Sequence, residues 1–169
     1  MALLPILEYP DARLKRIASP VTEFTHAIKK LVDDMADTMY DAPGIGLAAT
    51  QVNVHKRIVV SDISETKNDL KFFINPQIVM ADGEIVGEEG CLSVPGYYDT
   101  VKRASHVVVR AQDALGKTFE LEATDLMAVC IQHEMDHLIG TVFVDHLSQL
   151  KQIRVKTRMK KRLRETERA

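Results

Sequence analysis

His133 and His137 stand four residues apart, with a glutamate directly after the first, and this makes residues 131–138 the stretch best equipped for chemistry. In a helix of about 3.6 residues per turn, positions i and i+4 share a face, so both imidazoles can bind one metal ion. Glu134 is turned by about 100° from His133, which sets its carboxylate beside such an ion, where it can take a proton from a coordinated water instead of acting as a ligand. A catalytic site with an open coordination position needs at least one more protein ligand. The candidates are Cys91, Cys130, His26, His55, His106, His146 and the carboxylates.

Cys130 lies three residues before His133 and roughly on its face. An ion between the two histidines would nevertheless sit about 6 to 7.5 Å further along the helix axis, and the cysteine side chain leans the other way, toward the helix N-terminus. A metal thiolate needs about 2.3 Å. Cys130 therefore reads as a small buried residue beside the site. Cys91 sits in the glycine-flanked, non-helical stretch 88–96, which can carry a thiolate across to the helix, and it is the preferred third ligand. The alternative is an inert core thiol. A thiolate with two imidazoles suits zinc or ferrous iron, and spacing does not choose between them. Two cysteines do not make a disulfide framework.

The elements that must position these groups follow from periodicity. Ile28, Leu31, Val32, Met35 and Met39 predict an amphipathic helix over 25–42, ended by Pro43-Gly44. Strands are expected over 57–63, over 70–81 with a break at Asn75-Pro76, and over 106–111 and 117–123 around a turn at 113–116. Further helices are expected over 126–139 and from 148 to the end. Residues 1–24, with Pro5, Pro10 and Pro20, read as irregular. The fold class is α+β: antiparallel β-sheets packed around a central metal-binding helix, with an N-terminal helix and a C-terminal basic helix. At 46% apolar and 27% charged, the 169 residues predict one ordinary domain with a real core and exclude low-complexity classes. No apolar window is long enough to span a membrane, and residues 1–5 are too short for a signal segment, so a cytoplasmic protein with no membrane partner is expected.

Charge is distributed unevenly. Residues 148–169 hold nine Lys/Arg against Glu165 and Glu167, a charge of +7, which leaves −9 on residues 1–147 of a chain whose total is −2. The expected organisation is a catalytic domain over 1–147 and a basic helix over 148–169. Leu150 and Ile153 are expected to dock the start of this helix. Its outer half should project into solvent, either as a solvated face or toward an anionic partner.

Three stretches carry a resemblance. Gly44-Ile45-Gly46-Leu47-Ala48-Ala49-Thr50-Gln51, Glu89-Gly90-Cys91-Leu92-Ser93 and Gln132-His133-Glu134-Met135-Asp136-His137 resemble the three signature motifs of peptide deformylases, in that family's order and spacing. The first alone is a weak signal, a glycine turn without phosphate-loop spacing. Together the three are specific, and the likeness covers residues 1 to about 147. It implies removal of the N-formyl group from formyl-methionyl nascent peptides, with release of formate. It also implies Cys91, His133 and His137 as ligands of one Fe²⁺, replaceable by Zn²⁺, Ni²⁺ or Co²⁺. Glu134 would be the general base and acid, and Gln51 and the backbone N–H of Leu92 the oxyanion donors.

By the same resemblance, Ile45, Leu126, Val129, Cys130 and His133 would line a methionine pocket, four of them on one helical stripe. Gly46, Glu89 and Gly90 join the substrate-binding segments, whose backbone would pair with an extended peptide. The basic tail would meet ribosomal RNA, and no DNA partner is implied. Gly87 and Tyr97-Tyr98 depart from the family pattern and point to a wider pocket mouth and an altered preference beyond methionine. Arg103 and Asp136 are expected to pair and steady a ligand histidine. Two rivals remain at this stage: a zinc endopeptidase taking its third ligand from Asp145 or His146, and a closed structural metal site in a binding module.

Overall fold

Ile28, Val32, Met35, Ala36 and Met39 fall on one side of a helix, and in the computed structural model, which describes residues 2–168, they are buried along α1 (His26–Asp41). The strands that follow are β1 (Gly46–Ala48), β2 (Ile58–Ser61), β3 (Lys71–Asp82), β4 (Ile85–Cys91), β5 (Val94–Arg103), β6 (His106–Gln112) and β7 (Thr118–Thr124). β4 and β5 pair with each other, while the remaining strands form one antiparallel sheet in the order β1-β2-β3-β6-β7. The chain then enters α2 (Asp125–Leu138) and ends in α3 (Gln149–Arg168). The mixed helix and antiparallel architecture matches the α+β expectation.

Three apolar clusters hold these layers together. Val59, Phe73, Val107 and Val109 of the sheet pack on Ala128, Ile131 and Leu138 of α2. α1 packs on β1 and β2 through Val32, Met35, Leu47, Ile58 and Val60. On the far side, Val94 and Val101 of β5 meet Leu7, Tyr9, Phe143, Val155 and Met159. α2 is thus covered on several faces, and a helix so enclosed can carry its polar residues only where they satisfy one another.

Local differences from the sequence reading have physical causes. β3 runs unbroken through Asn75-Pro76, because a register shift between Ile74 and Gln77 absorbs the missing proline N–H. Asn75 adopts a left-handed φ of 52° there, and its side chain bonds to both the N–H and the C=O of Val21 and to Gln112. The β4–β5 hairpin is absent from the sequence reading, since Gly87, Gly90, Pro95 and Gly96 obscure its alternation. The first residues are also ordered by partners: the Leu7 N–H donates to the Gln51 carbonyl at 2.7 Å and the Tyr9 N–H to the Ser93 carbonyl at 2.8 Å.

The docking of the last helix is a correction. Leu150 and Ile153 are 58% and 61% exposed, and Val155 and Met159, at 1% and 3%, are the residues that anchor α3. Arg162 adds an exposed pair with Glu8 at 3.1 Å, but residues 160–168 are all exposed, so the outer half of the helix lies in solvent as expected.

Candidate metal centre

The end of β4 and one face of α2 bring three donors together. One ligand atom each from Cys91, His133 and His137 lies within 4.8 Å of the others, and Cys91 Sγ stands 3.4 Å from His137 Nε2. An ion holding a thiolate at about 2.3 Å and an imidazole at about 2.1 Å in tetrahedral geometry would set those atoms roughly 3.6 Å apart. The residues therefore fit a metal ion. Among the described residues the cluster holds these three donors and no fourth Cys, His or carboxylate, which leaves a coordination position open and argues against a closed structural site.

The other candidates are engaged elsewhere. Cys130 Sγ lies 3.2 Å from Ser61 Oγ and 3.6 Å from the Ile45 carbonyl, and burial, aided by nearby Glu134, pushes its thiol up to about 12. Asp145 caps the Val142 N–H, His146 meets Asp136 at 2.8 Å, and His106 lies between Asp82 and Glu122. The third ligand of an endopeptidase is therefore missing from where that rival needs it.

Glu134 is enclosed, and its Oε1 has no partner. Burial raises its pKa to about 7, partly offset by His133 and reinforced by Glu89. A buried carboxylate oxygen without a donor calls for a water molecule in the site, and a pKa near neutrality suits a group that must take and return a proton. Gly46 makes room for it: a Cβ at this position would run into Glu134 Oε2 and would meet Cys130 Sγ at 2.8 Å.

The two candidate ligand histidines are held by charge. His133 Nδ1 faces Glu89 Oε1 at 2.9 Å, which leaves Nε2 for an ion. Glu89 also accepts both prongs of Arg103, at 2.9 Å each, and Arg103 reaches Asp136 at 2.7 Å. Burial pushes the Glu89 carboxyl up, but the bonds from Arg103 and His133 outweigh it and hold the pKa at about 2. For His133, burial favours the neutral ring, yet Glu134, Cys91 and Glu89 together raise its pKa well above the ordinary value. His137 goes the other way, lowered well below the usual range by burial and by the charges of His133 and Arg103. That direction favours the neutral ring that a metal ligand needs. The sequence reading paired Arg103 with Asp136; the carboxylate that touches a ligand ring is Glu89, one step further in.

Gln51, in the turn after β1, is oriented from both ends. Its Oε1 accepts from the Ala48 N–H at 2.9 Å, so its Nε2 points inward, 3.0 Å from Ser93 Oγ and 3.5 Å from Cys91 Sγ. Sequence reasoning missed Ser93, although it lies inside the second motif, because a buried serine gives no periodic signal.

A cleft of about 550 Å³ opens over these groups. Ile45, Gly46 and Gln51 form one wall; Gly90, Cys91 and Leu92 form the other, with His133 and Glu134 at its base. Leu126, Val129 and Cys130 are outside this lining, Leu126 being half exposed and Cys130 buried behind Gly46. Glu89 is also outside this lining, its carboxylate being held by Arg103 and by His133 Nδ1. Gly87 lies off the cleft on the exposed side of β4, so its small size does not widen the mouth. Tyr98 does reach the cleft, with its ring where a Gly90 side chain would be.

A family model described as polypeptide deformylase matches residues 3–153. The chain belongs to that family. The family comprises metal-dependent hydrolases that remove the N-formyl group from nascent peptides. The chain is 62% identical over 162 residues to the peptide deformylase of Chromobacterium violaceum, covering 96% of this chain and 97% of that one. Its fold is similar to the crystal structure of a peptide deformylase from Legionella pneumophila, with a TM-score of 0.94 and 48% identity over 99% of both chains. It also matches peptide deformylase from Ehrlichia chaffeensis in complex with actinonin, with a TM-score of 0.91 and 40% identity, covering 96% and 98%.

Proposed function

We propose that Cys91, His133 and His137 hold one Fe²⁺ and that the surrounding residues cleave the formyl amide of formyl-methionyl nascent peptides, with Zn²⁺, Ni²⁺ or Co²⁺ able to replace iron. The observation that carries this reading is the orphaned, fully buried Glu134 oxygen beside a three-donor cluster with an open position. When bound, the ion supplies acidification of water and polarisation of the formyl carbonyl.

The chain's own groups supply the rest. Ile45 and Gly46 on one wall and Gly90 on the other offer backbone to an extended peptide, as an added strand would use it. Glu134 Oε1 takes a proton from water as the water oxygen attacks the formyl carbon, and Glu134 returns that proton to the leaving nitrogen. Charge on the formyl oxygen is met by the inward N–H of Gln51 and the Leu92 N–H, each such donor being worth about 2.7 to 4 kcal/mol. Ala48 and Ser93 hold the Gln51 amide in that orientation before substrate arrives. The methionine side chain enters between Ile45 and the His133 end of α2, with Leu126, Val129 and Cys130 forming the helix side behind the wall.

The setting of the reaction is the cytoplasm, where formylated chains are made; no described helix is long and apolar enough to cross a membrane. Lys156, Lys160 and Arg164, spaced four residues apart on α3, face ribosomal RNA, and no DNA contact is proposed.

Formate release from formyl-Met-Ala, set against cleavage of an unformylated peptide, tests the reading. Formate without peptide cleavage supports it, and the reverse sinks it. Cys91→Ser should weaken iron binding sharply and Cys130→Ser should leave it unchanged; the opposite order would overturn the ligand assignment. Co-sedimentation with ribosomes should fall for Lys160→Glu/Arg164→Glu at low salt, and equal sedimentation would reject the RNA contact.

A further inference from the structure

The cleft does not end at the metal cluster. Pro95 and Gly96 line it and also line a second cavity of about 410 Å³, whose other walls are Arg158, Met159, Lys161, Arg162 and Glu165 of α3. Arg158 bends over this shared rim: its Nη2 donates to the Gly96 carbonyl at 3.0 Å, and its guanidinium lies 6.0 Å from the centre of the Tyr97 ring. Arg162 is fixed by Glu8, and Lys161 has no carboxylate partner among the described residues. With Arg162 already paired to Glu8, Arg158 and Lys161 stand with Glu165 on a cavity that shares its Pro95–Gly96 rim with the substrate cleft.

At about 100° per residue, positions 158, 161, 162 and 165 share one face of α3, while 156, 160 and 164 lie on the opposite one. The helix therefore presents two basic surfaces with different neighbours. A formylated peptide fixed by its N-terminus at the metal must leave through an open side of the cleft, and on the Pro95–Gly96 side it passes onto the first surface.

Resting on the deformylase reading above, we infer that this surface selects the downstream part of the substrate: Arg158 and Lys161 favour formyl-methionyl peptides that carry acidic side chains shortly after the residues held in the cleft. Met159, buried beneath them, fixes the helix against the body, so the charges are presented from a rigid element. Arg158 is anchored by the Gly96 carbonyl and keeps further N–H groups for a carboxylate. The pairs formed would be solvent-exposed, so the selectivity is modest and screened by salt.

The test uses the full-length, iron-loaded protein and three amide-capped substrates: formyl-Met-Ala-Ala-Glu-Glu, formyl-Met-Ala-Ala-Lys-Lys and formyl-Met-Ala. The acidic peptide should exceed the basic one in kcat/KM by about three- to tenfold at low ionic strength, through KM, with the ratio falling toward one in ~0.5 M salt. Arg158→Gln/Lys161→Gln should collapse that ratio at low salt, whereas Lys160→Gln/Arg164→Gln on the other face should keep it. Equal rates for the two long peptides in the wild-type protein overturn the inference, as does a preference that survives Arg158→Gln/Lys161→Gln. Turnover of formyl-Met-Ala with no acidic preference leaves the deformylase reading intact and rejects only this one. No turnover of any of the three rejects both.

Discussion

Glu89 Oε1 lies 2.9 Å from His133 Nδ1, and the same carboxylate is gripped by both prongs of Arg103, so the ring of a candidate metal ligand is oriented through a buried ion pair. Glu89→Gln keeps the shape and removes the charge. Metal affinity should fall by about 10- to 100-fold, the usual cost of losing a group that orients a ligand. Arg103 is left without its main counter-charge, so the unfolding midpoint should fall as well. Chelator competition on protein verified as folded by circular dichroism measures the first effect. Unchanged affinity would mean that the ring needs no such support.

Glu134→Ala should retain near-stoichiometric metal while kcat falls by about 10²- to 10⁴-fold, as expected when a general base is lost. Metal analysis alongside formate release decides the matter, because loss of both together would make Glu134 a ligand.

Gly46→Ala and Gly87→Ala form a matched pair. A Cβ on Gly46 runs into Glu134 and Cys130, whereas one on Gly87 meets nothing within 4 Å. The first should cut kcat at least tenfold by displacing the carboxylate, and ~1 Å of misplacement is known to cost about 10². The second should change stability by no more than about 0.5 kcal/mol and leave turnover alone. Similar kinetics for the two variants would contradict the close approach at Gly46.

Acid should weaken the loop after β2 through Asp62. Burial pushes this carboxyl up, but bonds from Ser64, Tyr40 and the Asp69 backbone win and hold its pKa at about 2. A carboxyl lower in the folded than in the unfolded chain contributes stability above its ordinary pKa of about 4, and that stability is lost as pH falls toward about 2. Tyr40→Phe removes a 2.6 Å bond and should cost about 1.5 to 3 kcal/mol at pH 7. The cost should shrink between pH 4 and 2 as Asp62 becomes protonated. Urea melts of both proteins across that range would expose a constant difference, which the proposed linkage forbids.

Met159→Ala should destabilise the protein by about 2 to 5 kcal/mol, the usual cost of emptying a core site. Leu163→Ala, one turn on and 55% exposed, should cost no more than about 0.5 kcal/mol. Equal thermal shifts would mean that α3 is held by something other than Val155 and Met159.

Much of this was legible in the residues themselves. Two histidines four apart are a local pattern, and so was the argument that rejects Cys130, because both depend only on helix geometry. The helix and most strand boundaries followed from periodicity, which local burial writes directly into sequence. The β4–β5 hairpin was not legible, since it pairs on a small two-stranded sheet where Gly87, Glu88, Glu89 and Gly90 replace the apolar alternation. Glu89 also escaped a correct reading. Nothing in its neighbours reveals that its charge is spent on Arg103, 14 residues away, and on His133, 44 away. The apolar pair that docks α3 was visible at Val155 and Met159, but the more conspicuous Leu150 and Ile153 face solvent.

The strap formed by Leu7 and Tyr9 bears on the order in which the molecule folds. Leu7 joins the Gln51 turn and Tyr9 joins the Ser93 turn, while both pack with Val155 and Met159 from the opposite end of the chain. Closing such distant loops costs entropy before any contact rewards it, so high contact order slows folding. The two walls of the cleft are therefore brought together late, once nearly the whole polypeptide is available. A protein emerging residue by residue should gain its sheet and α1 first, and its catalytic pocket only as the last helix settles.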